Sequence, residues 1–508
     1  MTPGPSSKPN RQPQVSHSGP PVTTADLLRI LPLIILGGGA IVTMLAIAAY
    51  RSHVLTFVLT LGTLILSVIT LRAPTSGTSE SIGPLIELDG YAVFFTALIL
   101  LAAVAVVVMA YGYMSVRSVV REEFYVLVLT AMLGCAFLVS STHFASFFLG
   151  LELLSVSLYS LIAYDRSKAI DIEAGIKYLI PAATSSALLL LGMALVYAHT
   201  GTMALSMLME PGRLSGGQNH LLAFVGGGMI LVGIAFKLAL VPFHFWAGDV
   251  YEGAPAPVTA LVATTSKGAV FALLLRYFGR TDMRMQHPFF SIFTWVAVFT
   301  MLVGTCLALR QNNVKRLLAY SSVAHMGYLL VAFLAVSEVA ATALSFYLLT
   351  YFITTLGAFG VITALSGKEG DFSEIEDYRG LTVRHPLLAA ILTAMMLSLA
   401  GMPLTAGFLG KFYLLYAGVQ SDLWLLVLVL VAASVISLYY YLRVIVTMYR
   451  SVQPSRAETS VDIRRVPAPS GSFIGGVVLG GLLVSLIWVG VYPGPILRWI
   501  ESLAGGLL

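Results

Sequence analysis

The chain has 508 residues, of which 58% are hydrophobic and only 10% charged, and its mean hydropathy is +0.89. A soluble domain carries roughly 25% charged residues, so this composition excludes a water-covered globule. The net charge of +5 is read as the Lys and Arg excess of cytoplasmic membrane loops before it is read as a nucleic-acid footprint. Residues 1–27 are polar and rich in Pro and Ser. They form an expected disordered tail, because they hold no apolar core from which a signal peptide could be built.

Beyond the tail, lipid cannot hydrogen-bond the backbone, which leaves helices or a closed barrel. Barrel strands alternate apolar and polar residues, whereas Phe124 to Ser140 and Leu423 to Leu442 are unbroken apolar runs. The expected fold is therefore an all-α polytopic membrane protein. Apolar stretches of sufficient length number about fourteen, starting near residues 29, 54, 90, 122, 144, 173, 221, 256, 289, 316, 338, 386, 423 and 472. They divide into helices 1–3 (28–120), helices 4–8 (121–281), helices 9–13 (282–450) and a loop with helix 14 (451–508). Placing both termini outside puts most Lys and Arg on the inner loops, among them Arg117, Arg121, Arg166, Lys168, Arg310, Lys315, Arg316, Arg450, Arg464 and Arg465. The inner loop 366–385 holds Glu369, Asp371, Glu374, Glu376 and Asp377 and reads as a solvated surface segment. Cys135 and Cys306 lie in apolar runs and read as small core residues. They are too few for an iron–sulfur cluster or a structural zinc site, and no glycine-rich nucleotide fingerprint is present.

Charges inside the helices carry the functional signal, since an Asp, Lys or Arg at a helix centre costs roughly 2.5–3.5 kcal/mol to insert. Four stand well inside apolar runs: Glu152 in the fifth stretch, Lys237 in the seventh, Lys267 in the eighth and Lys411 in the twelfth. One Glu can neutralise only one of three lysines, so keeping all ionised would bury an excess of two positive charges. That excess favours release of a proton from at least one lysine, which makes the set a candidate proton relay. The plainer reading is a set of ion pairs that fix helix packing, or lysines reaching toward the interface. Pro242 follows Lys237 and Pro403 precedes Lys411, and each proline is expected to break its helix. Broken helix beside a charge is the arrangement of a transporter core. Lysine precedes proline in one half and follows it in the other, as two five-helix units of inverted topology would give. His325 and His244 are further candidates, because a neutral histidine both donates and accepts.

The runs Phe236-Lys237-Leu238-Ala239-Leu240-Val241-Pro242-Phe243-His244-Phe245-Trp246 and Asp249-Val250-Tyr251-Glu252-Gly253-Ala254-Pro255-Ala256-Pro257 resemble the subunit N family of the bacterial NADH–quinone oxidoreductase, respiratory complex I. So do Asn312-Asn313-Val314-Lys315-Arg316-Leu317-Leu318-Ala319-Tyr320 and the stretch from Gly401-Met402-Pro403 through Gly410-Lys411-Phe412. Gly248 and Leu404 depart from the family, which commonly has proline at both. The resemblance runs from residue 29 to the end. It implies fourteen helices with inverted, antiporter-like repeats in helices 4–8 and 9–13, and discontinuous helices 7 and 12. Glu152, Lys237, Lys267 and Lys411 would be its proton-carrying charges, with Glu152 paired to Lys237, Lys267 linking the halves and Lys411 as terminal site. It further implies that no cofactor belongs to this chain. NADH, flavin, iron–sulfur clusters and quinone would lie on partner subunits, and the sister antiporter-like subunits would be membrane neighbours. The expected location is the bacterial inner membrane with both termini periplasmic. A subunit of a multisubunit cation/proton antiporter and a non-conducting scaffold are the alternatives.

Overall fold

The computed structural model describes residues 24–71, 81–117, 120–205, 220–278, 288–335, 337–368, 370–451 and 473–504. Most of the polar tail, Glu369, Arg464 and Arg465 lie outside the described residues. The helices used below are α1 Leu31–Ala49, α2 His53–Thr70, α3 Gly90–Val116, α4 Glu122–Ser140, α5 Phe144–Ile162, α6 Ala169–Thr200 and α7 His220–Leu238. They continue as α8 Trp246–Gly253, α9 Ala256–Leu261, α10 Lys267–Phe278, α11 Pro288–Leu309, α12 Val314–Ala335 and α13 Glu338–Leu365. The last are α14 Pro386–Ala400, α15 Ala406–Gln420, α16 Trp424–Tyr449, α17 Phe473–Val491 and α18 Gly494–Ala504.

Thirteen of the described helical spans are long and apolar enough to cross a membrane, counting α9 and α10 as one. The shorter apolar α14 continues into α15 to make the remaining crossing. Two short strands, Ser81–Ile82 and Ile86–Glu87, pair antiparallel before α3, a small addition to the expected all-α fold made possible by Gly83 at φ +65°. Helix starts follow local chemistry: the Ser52, Asp89, Ser337 and Thr405 side chains each accept a backbone N–H of the turn they open, satisfying donors that a helix N-terminus leaves free.

The apolar span of the crossing built from α9 and α10 is buried, as is that of α12, and α13 is nearly so, while α1, α2 and α17 are peripheral. Close approach sets some of this packing. A side chain at Gly134 would place its Cβ 2.6 Å from the Leu154 backbone nitrogen, and one at Gly150 would lie 2.8 Å from that of Leu138, so α4 and α5 touch backbone to backbone.

Successive crossings deliver their connections to two opposite faces. On one, the loop after α13 is pinned to the start of α12, with Val314 N donating to Ser373 O (2.6 Å) and Ile375 N to Asn312 O (2.8 Å). On the other, Thr142 N donates to Leu85 O (3.0 Å), and Phe144 N to Met203 O (2.8 Å).

Two expectations are corrected. Cys306 is exposed although Cys135 is buried; a lipid-facing helix surface is as apolar as the interior, so hydropathy does not separate them. The segment 366–385 is not wholly a solvated loop either. Ile375, Tyr378 and Leu381 are buried, and Asp371 is enclosed by cations from two helices.

Candidate proton-transfer site

Lys237 is the next-to-last residue of α7. The helix ends there because Ala239 adopts φ +56°, Ala239 N bonds Phe236 O (3.0 Å) and Leu240 N bonds Ala235 O (2.9 Å), the paired bonds of a Schellman stop. The freed backbone is satisfied by side chains: the Trp246 indole donates to Phe236 O at 3.0 Å, and Thr300 accepts from Val241 N at 3.0 Å. Pro242 stands in the link before α8, joined to Val241 by a cis peptide.

The second break has the same construction. Gly401, at φ +84°, donates to Ser398 O (3.0 Å), and Met402 N donates to Leu397 O (3.0 Å). Pro403 follows in the link. Lys411 lies on the far half, in α15, yet its Nζ reaches back to Ala400 O (3.0 Å) and to Ser434 Oγ (2.8 Å). Both lysines therefore sit at the C-terminal end of a half-helix. The carbonyls there carry partial negative charge and favour a cation, whichever side of the proline the lysine occupies in sequence.

Glu152 and Lys237 are brought near one another without direct contact. Glu152 accepts from Ser186 Oγ at 2.5 Å, whereas Lys237 Nζ donates to Ser155 Oγ at 2.6 Å. Glu152 and Ser155 are three residues apart on α5 and so share a face. Lys267 opens α10 directly after a π-helical turn, Val262–Ser266. The three hydroxyls of that turn, Thr264, Thr265 and Ser266, fold back onto carbonyls four residues earlier. Lys267 is 0% exposed and donates to Ser322 Oγ at 2.6 Å. Ser322 in turn bonds the Tyr351 hydroxyl (2.7 Å) and lies 3.4 Å from that of Tyr251.

His325, one turn beyond Ser322 on α12, shares hydrogen bonds with Tyr347 (2.6 Å) and Tyr441 (3.2 Å), and Tyr441 also bonds Ser321. The His325 ring is 5.3 Å from the Tyr328 ring, and Lys411 Nζ lies 5.2 Å from that same ring. On the other side of Lys267, its Nζ is 5.5 Å from the Tyr251 ring, and the Tyr251, Trp246 and Tyr178 rings follow in succession. The last of these is 5.5 Å from Lys237 Nζ. His244 is buried in the link between α7 and α8, with Nδ1 unpartnered, and the described contacts do not join it to the run.

The structure thus brings Lys237, Lys267, His325 and Lys411, all buried, into one line of polar and aromatic groups, with Glu152 only half-buried at its end. The connecting Ser155, Ser186, Ser322, Ser434, Tyr347, Tyr351 and Tyr441 escaped sequence reading. The available signal was their helical spacing from the singled-out charges, as with Ser155 after Glu152 and Ser322 before His325.

Further buried charges lie off this line. Asp371 accepts from Arg117 (2.6 Å), Lys315 (2.7 Å) and the Tyr113 hydroxyl (2.7 Å). Burial alone would raise its carboxyl, but Lys315 and Arg117 hold it well below the usual carboxylate range. On the opposite face Arg276 bonds both oxygens of Asp89, at 2.6 and 3.1 Å. These clusters tie α3, α10, α12 and the loops together.

Fold and site together define an antiporter-like, multi-span membrane protein, and the profile of the family described as "NADH:quinone oxidoreductase/Mrp antiporter, TM" matches residues 141–437. The chain is 44% identical to NADH-quinone oxidoreductase subunit N of Ectopseudomonas mendocina, over 96% of this chain and 99% of that one. A chain of respiratory complex I from Thermus thermophilus, solved with bound aureothin, superimposes with a TM-score of 0.76 at 34% identity, covering 92% of this chain and 98% of that one. A chain of the Mrp complex from Dietzia shares the fold alone, with a TM-score of 0.75 at 22% identity over 95% and 96% of the two chains. The chain belongs to the NADH-quinone oxidoreductase subunit N family.

Proposed function

We propose that this chain is the proton-translocating membrane subunit of a NADH–quinone oxidoreductase, coupling quinone reduction on other subunits to proton transfer through its own interior. The observation that carries this reading is the line itself, three buried lysines set among hydroxyls, aromatic rings and a histidine, in a chain 44% identical to a named subunit N. Each lysine can hold or release a proton, and the neighbouring hydroxyls can accept and donate at once.

In this reading Glu152 tunes Lys237 across the α5 face, Lys267 passes charge between the halves with His325 beside it, and Lys411 is the terminal site. A shift of Glu152 relative to Lys237 changes how firmly Lys237 holds its proton, because a nearby carboxylate favours the ammonium. Helices 4–8 and 9–13 act as two inverted repeats, supported by the matching stops at Ala239 and Gly401. Driving one proton against 100 mV needs about 2.3 kcal/mol. That energy must arrive from partner subunits carrying the flavin, iron–sulfur and quinone chemistry. The cell inner membrane is the proposed location, with the Asp371 face inward and both termini periplasmic.

The shared family profile and the Mrp-like fold keep one second reading in view, a subunit of a cation/proton antiporter without redox partners. The test is to replace Lys237 or Lys411 with Met in the assembled enzyme and follow quinone-driven acidification of vesicles. Loss of pumping with intact assembly is expected. Full pumping would favour a scaffold, and uncoupled sodium–proton exchange by the unmodified protein would favour the antiporter.

A further inference from the structure

On the Asp371 face, beside the last turns of α16, lies a cleft of about 620 Å³ that takes no part in the interior line. Its charged residues are Arg443 from α16, Arg450 directly after that helix, and Glu374 and Glu376 from the loop packed over it. The two arginines are seven residues apart, two helical turns, so they share a face about 10 Å apart along the axis. Arg443 donates one N–H to the Gln311 carbonyl, while its Nε is buried without a partner. That Nε has no accessible surface and so is not a contact for a cleft ligand, but the planar fork of arginine matches the oxygens of a phosphate.

The cleft is continuous with an apolar surface. Tyr439, Leu442 and Val446 line it and are themselves exposed, and Val435, Val431 and Leu428 extend the same exposed stripe along α16. The spacing of three and four residues keeps these side chains on one helix face. Such an exposed apolar stripe meets either acyl chains or a neighbouring subunit, and the charged groups at its end favour a lipid with a charged headgroup. Two cations and two carboxylates thus stand at the polar end of a hydrocarbon track.

We propose that this cleft holds a phospholipid whose headgroup carries both a phosphodiester and a primary amine, a phosphatidylethanolamine. The phosphate lies between Arg443 and Arg450, the ammonium meets Glu376 and Glu374, and the acyl chains follow the α16 stripe. A primary ammonium has three N–H donors for the carboxylates. A trimethylated amine has none, and a headgroup without an amine leaves the carboxylates facing a phosphate. Free phosphate would use only the arginines.

The test is photo-crosslinking in the intact complex in membranes, with photoactivatable phosphatidylethanolamine, phosphatidylcholine and phosphatidylglycerol as probes and peptide mapping of the adducts. Preferential phosphatidylethanolamine labelling of residues 436–450 is expected. Arg450→Gln and Glu376→Gln, both at exposed positions, should each lower it about threefold or more, by loss of a charge-assisted contact. Arg443→Gln should do the same, and the two exposed variants keep the test valid if that one disturbs the Gln311 contact. Equal labelling by all three probes, no response to either exposed variant, or displacement of the probe by inorganic phosphate would overturn the proposal. So would crosslinking of the cleft to another subunit with no lipid adduct, which would assign it to a protein partner.

Discussion

Asp371 shows most directly how a single residue ties sequence to stability here. Its carboxylate meets Arg117 and Lys315, whose side chains are 5% and 1% exposed. Removing the charge with Asp371→Asn leaves two buried cations short of their counterion, a change that costs about 3–5 kcal/mol and should appear as poor assembly or a lowered thermal midpoint. The pH dependence has a definite sign. Pairing lowers the folded-state carboxyl below its ordinary value of 3.8. The stabilisation is therefore complete above that value and is lost as pH falls through it toward the lowered one; acid titration of thermal stability, compared between the parent and Asp371→Asn, reads this out. Ser322 is the corresponding residue for transfer, since it alone joins Lys267 to Tyr351 by hydrogen bonds among the described residues. Ser322→Ala removes the acceptor of a charged donor, worth about 1.5–3 kcal/mol. It should slow pumping about tenfold or more with assembly unchanged, and an unaltered pumping rate would remove Ser322 from the route.

The two broken helices make the argument at the scale of elements. Each first half ends in the same pair of backbone hydrogen bonds around a positive φ, at Ala239 and at Gly401. The positions differ in chemistry, because glycine adopts this conformation freely whereas alanine does so at a cost of roughly 1–2 kcal/mol. Ala239→Gly is therefore expected to preserve or raise thermal stability. Gly401→Ala should lower both stability and pumping, since its new Cβ would lie 2.9 Å from Lys411 Cδ and 3.3 Å from Nζ. Measuring thermal midpoints and pumping of the two variants side by side checks the pair; a destabilised Ala239→Gly would show that the α7 stop is held by something other than this backbone geometry.

Across the whole molecule, the crossings and the three buried lysines were legible because hydrocarbon permits few alternatives to an apolar helix and makes each interior charge costly, whereas Glu152 is only half-buried in this chain. The breaks were legible from Pro242 and Pro403. The hydroxyl and tyrosine connections were not, since Ser, Thr and Tyr sit in apolar helices on any face, and hydropathy does not report which face meets Lys267. Arg276, at 1% side-chain exposure, was missed for a related reason: near a helix end it reads as interfacial. Asp371 was hidden in a charged loop whose composition resembles solvated sequence, and its burial follows only from the fold of that loop over α12. Lys267 stands where these levels meet, on a fully buried crossing, beside a π-turn, between the two broken helices. The measurement that tests the account most directly is proton pumping by vesicles reconstituted with the assembled enzyme carrying Lys267→Met, at matched rates of quinone reduction. The account predicts fewer protons moved per electron pair than in the unmodified enzyme; an unchanged ratio would contradict it.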